Sequence, residues 1–68
     1  MSRDEQLWIA RAVHMACIEA ALQAYEDAGL SGLCHEGRWE CAVDAMRGLD
    51  LHTLLQTLPG NHQLYRQS

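Results

Sequence analysis

Residues 28–34 read Ala-Gly-Leu-Ser-Gly-Leu-Cys. On either side of this stretch the chain is helix-forming, so its reading decides whether the protein is one rod or two. Residues 4–28 contain neither proline nor glycine, and residues 34–47 contain one glycine, Gly37. Two glycines three positions apart, with a leucine and a serine between them, punctuate a chain strongly. The stretch is therefore read as a turn, with Gly29 as the residue that stops the first helix. Short connections of this kind join antiparallel helices.

Working back from the turn, the first helix is expected over about 3–28. Ser2-Arg3-Asp4-Glu5 fits the S-x-x-E capping box, and two acids suit the positive end of the helix dipole. Winding the segment at about 100° per residue gathers Leu7, Ala10, Val13, Cys17, Ile18, Ala21, Tyr25 and Ala28 on one wide face. Seven alanines between Ala10 and Ala28 favour close approach of a neighbour.

Working forward, a second helix is expected over about 34–47, with Cys34, Trp39, Cys41, Ala42, Val43, Ala45 and Met46 on its apolar arc. Gly48 ends it. Asp50 is the expected N-cap of a third helix over about 50–58, whose Leu51, Leu54, Leu55 and Leu58 follow i, i+3, i+4, i+7 spacing. Residues 1–60 are then one small domain and 61–68 a tail. Centring the turn near residue 32 pairs Tyr25 with Trp39, Cys17 with Met46 and Glu26 with Arg38.

The fold class is thus all-α: an antiparallel hairpin plus a short third helix. A chain of 68 residues has little interior, and small folds lean on a metal, a disulfide or a partner. The cheapest closure is a homodimeric helical bundle, since two-fold pairs are the commonest oligomers.

Composition narrows the function. The net charge is −4, with five arginines and no lysine, so no basic stripe exists to neutralise phosphates and nucleic-acid binding is not expected. A helix-turn-helix built from the second and third helices is disfavoured for the same reason, and because the leucine-rich third helix is a poor groove reader. No apolar run approaches the length of a membrane span. The opening Met-Ser-Arg-Asp-Glu-Gln has acids where a secretion signal has bases, which points to a cytoplasmic location. The absence of lysine and phenylalanine beside abundant alanine and leucine suggests a GC-rich bacterial source.

Cys34-His35-Glu36 sets a thiol, an imidazole and a carboxylate in a row. A structural zinc site wants four ligands in close local pairs, and the chain has no C-x-x-C. Cys34 and Cys41 share a helix face but stand about 10 Å apart along it, beyond the reach of one ion or of a disulfide. Cys34 near a helix N-terminus would favour thiolate, yet Glu36 opposes it, and the preferred reading is that Cys34 packs as a small hydrophobe. His14 falls within the first helix's apolar face, so it is expected as a buried, hydrogen-bonded histidine near Asp50. His14-x-x-Cys17 is the alternative half-site.

Without a nucleophile–base set, a phosphate loop or a carboxylate pair, no catalysis and no cofactor are expected. The leading reading is an interaction or regulatory module acting through an apolar helical face, with Trp8, Arg11, His14, Met15, Leu51, Leu54, Leu55 and Leu58 as interface candidates. The runner-up is a thiol- or metal-handling accessory protein using Cys34, His35 and Cys41, or His14 and Cys17.

Overall fold

A computed structural model describes residues 1–58. Three helices follow one another: α1 over Arg3–Leu30, α2 over His35–Arg47 and α3 over Leu51–Thr57. The described residues contain no strand. The long α1 runs back-to-back with α2 as a hairpin, and α3 touches α1. The expected tail at 61–68, with Pro59 and Gly60, lies outside the described residues.

Two of the three helices, α1 and α3, begin where a side chain satisfies a free N–H group. Ser2 Oγ accepts from the Glu5 N–H at 3.2 Å and donates to the Glu5 carboxylate at 3.2 Å. Asp50 accepts from the Thr53 N–H at 3.1 Å and from its hydroxyl at 2.7 Å. These two bonds, the side-chain one foremost, lower the Asp50 carboxyl below its ordinary range. Cys34 occupies the N-cap of α2 without a side-chain bond.

The first helix continues two residues past its expected end. Gly29 is helical, and the stop is Gly32, the only described residue with positive φ, at 87°. The Leu33 N–H reaches the Ala28 carbonyl and the Gly32 N–H reaches the Gly29 carbonyl, both at 3.0 Å. This is the paired 6→1 and 5→2 pattern of a Schellman stop, with Ser31 as C-cap. Gly29 has a different job. A Cβ there would lie 3.0 Å from Arg38 Cζ, so the glycine lets the guanidinium lie on the helix backbone. Gly37, by contrast, faces the Leu33 side chain rather than another backbone.

The hairpin is joined by alanine. Ala28 and Ala42 are the only buried described residues, at 5% and 4% exposure. Around them Ile9, Ala12, Val13, Ala16, Cys17, Ala20, Ala21, Ala24 and Tyr25 are half-buried, as are Cys41, Val43, Ala45 and Met46. The buried stripe of α1 is thus turned from the expected one: Leu7, Ala10 and Ile18 face outward, and the small residues at 12, 16, 20 and 24 face α2. Alanine loses no side-chain entropy and allows close approach, so the partner helix took the alanine stripe. On α2, Cys34 and Trp39 leave the expected arc for solvent. The dimensions of 50 × 18 × 13 Å describe a hairpin two helices wide and one thick. A lone layer has no interior to fill.

Candidate functional site

Two features stand out: a polar cluster at the turn and an apolar flank along the hairpin. The cluster starts at Tyr25, one turn before the end of α1. Its hydroxyl lies 2.8 Å from His35 Nδ1, and the rings meet edge to face at 5.9 Å and 79°. Arg38 covers the same tyrosine, with Cζ 5.7 Å from the ring centroid, within cation–π range. Its Nε–H donates to the Leu33 carbonyl at 3.1 Å. Arg38 thereby ties α2 to the turn, the Tyr25 ring and the Gly29 backbone.

These contacts replace the expected ones. Arg38 serves Leu33 and Tyr25 rather than Glu26, because Gly29 opens a seat for it directly on α1. Tyr25 meets His35 and Arg38, while Trp39 is 61% exposed. The sequence signal for this cluster was the spacing of Tyr25 and Gly29, one helical turn apart, which sets a ring beside a bare backbone.

The reactive side chains stay dispersed. Cys34 is exposed, Cys17 and Cys41 are half-buried, and all three are free thiols. His35 is engaged with Tyr25. Among the described residues, no three His, Cys, Asp or Glu side chains stand close enough to hold a metal ion. His14 is exposed, not buried beside Asp50 as expected, because the α1 stripe is turned. Asp50 instead caps α3.

The flank is an unbroken row along α1. Leu7, Arg11, Met15, Ile18 and Leu22 succeed one another at spacings of four, four, three and four, which keeps them on one side of a helix. All five are exposed, Met15 at 51% and Leu22 at 59%. The Tyr25–His35 bond shows which sides of the two helices share a surface. Ile18 and Leu22 lie two turns and one turn before Tyr25, and Trp39 lies one turn after His35, so the row and Trp39 belong to one flank. Elsewhere on the hairpin surface Gln23 donates to Asp27 at 3.0 Å, and Glu19 and Asp44 are exposed.

Of the residues singled out as interface candidates, Arg11 and Met15 stand in this row. Trp8 is exposed beside it. Leu51 and Leu55 are exposed on α3, whereas Leu54 and Leu58 are half-buried. Leu7, Ile18, Leu22 and Trp39 belong to the flank but were not among the candidates, Leu7 and Ile18 having been expected on the inward face; Leu22 was legible from its place seven residues after Met15. No described helix is long and apolar enough to cross a membrane. Compared with known proteins, the chain matches no family model, no curated protein and no solved structure.

Proposed function

We propose that the protein is an interaction module without chemistry of its own, and that it works by docking the flank of Leu7, Met15, Ile18, Leu22 and Trp39 on another protein surface. One observation carries this reading. The hairpin buries only two alanines while leaving large apolar side chains in a row on one side, interrupted by Arg11. Scattered apolar residues on a surface are ordinary, but a contiguous patch marks an interaction site. Tryptophan and methionine are enriched at protein interfaces.

The test is site-specific photo-crosslinking in the source cell. A benzophenone side chain at position 22 samples the apolar flank, and one at position 23 samples the surface outside it. A discrete adduct from position 22 alone is the expected result. Equal yields from both positions, or none from either, would remove the reading.

A further inference from the structure

We infer that the occupant of the apolar flank is a second copy of this chain, laid antiparallel across it to form a two-fold four-helix bundle. The inference rests on the interaction reading above and names the partner.

Three observations carry it. The first is thickness. A hairpin one helix thick, 13 Å, becomes two layers when two copies stack flank to flank, and two layers are what a helical core requires. The second is area. From Leu7 to Leu22 the row runs about 22 Å at 1.5 Å per residue, across the 18 Å width. That is roughly 800 Å² over both copies, the size of a weak, reversible association. The ten residues beyond Leu58 offer only Leu64 and Tyr65 as large apolar side chains, too few to cover the row themselves.

The third is charge, which also fixes direction. Residues 1–14 hold two arginines, Arg3 and Arg11, against two acids, Asp4 and Glu5, for a net of zero. Residues 15–30 hold Glu19, Glu26 and Asp27 and no base, for −3. A parallel pair would set −3 on −3. An antiparallel pair sets −3 beside zero, and brings the positive end of one α1 dipole to the acid-rich end of the other, whose last turn has no base of its own.

A two-fold axis level with the step from Ile18 to Glu19 sets the register. It places Met15 level with Leu22 of the partner subunit, and Arg11 level with Glu26 of the partner subunit, each pair occurring twice. Arg11 has no acid three or four residues away on its own helix, where Leu7, Trp8, His14 and Met15 stand. The partner's Glu26 supplies one.

Sedimentation equilibrium on the full purified chain is the direct test. A mass of twice 7.7 kDa at micromolar concentration is expected. A charge exchange tests the register with substitutions on exposed positions. Arg11→Glu sets two acid pairs across the axis and weakens the dimer by about tenfold or more. Adding Glu26→Arg restores it to within about threefold of the original. A folded monomer, or a dimer indifferent to Arg11→Glu, overturns the inference. So does a dimer that the double exchange fails to restore. A monomeric purified chain that still gives a position-22 adduct with a different protein leaves the interaction reading standing, so the two failures are distinguishable.

Discussion

The two ends of the hairpin are closed by different physics. At the turn, every feature is a directional contact within the chain: the Schellman bonds, Arg38 on Gly29, and Tyr25 against His35. At the other end the directional contacts stay within single helices, as in the Ser2 and Asp50 caps. Leu7, Trp8 and Met15 stand exposed there, and α3 packs with half of its leucines outward. Directional bonds close a loop locally and need nothing else. Apolar surface gains only when something covers it, which is why the second region points outside the chain.

The sharpest way to break this comparison is to disturb the seam that both regions share. Ala42→Leu inserts three heavy atoms where the side chain is 4% exposed. Overpacking of this kind costs about 1–3 kcal/mol, and the strain falls on the α1–α2 contact. Urea unfolding followed by circular dichroism is expected to lower the midpoint clearly. An unchanged midpoint would mean the helices are not held at alanine distance.

The turn itself yields next. Gly32→Val forces a β-branched residue to a φ of 87°, at a cost of about 1–2 kcal/mol. Gly32→Asn, which tolerates this conformation, is expected to recover most of that loss. Equal losses from valine and asparagine would refute a requirement for the left-handed stop. Tyr25→Phe is milder. It removes one partly exposed hydrogen bond and keeps the ring under Arg38, so about 0.5–1 kcal/mol is expected. A larger loss would mean that the tyrosine hydroxyl does more than bond His35.

How much of this was legible in the sequence differs between the same two regions. The helices, the turn and both side-chain caps at Ser2 and Asp50 follow from local rules, because capping and glycine punctuation are decided within a few residues. The orientation of α1 does not. Its apolar residues are spread around the whole circumference: Leu7 and Ile18 on one side, Ile9 and Val13 on another, with alanines between. A helix with two apolar faces offers two seams, and periodicity alone cannot choose which one α2 takes. The alanine stripe won because it permits the closer approach, and the larger side chains were left for the flank. His14 was misplaced by the same rotation. Gly29 was misread because a glycine seated under an arginine and a glycine at a helix stop look alike in one dimension.

The smallest expected effect lies at the cap of α3, at the end away from the turn. Thr53 holds the Asp50 carboxyl below its ordinary value of 3.8, first through its hydroxyl and then through its N–H. A carboxylate stabilised in this way binds its proton more weakly in the folded chain than in the unfolded one. Its contribution is therefore complete above the ordinary value and is lost as pH falls through the lowered folded one. The group is exposed, so the change is confined to the first turn of α3. Amide exchange at Thr53 is expected to stay slow through mild acid and to quicken, beyond its intrinsic pH dependence, once Asp50 protonates. Asp50→Asn keeps an acceptor without the charge and is expected to flatten that response. If the Thr53 amide keeps its protection after Asp50 has taken up its proton, the cap is not what starts α3. The leucines packed on α1 then hold it in place, and this end of the molecule is closed by apolar contact alone.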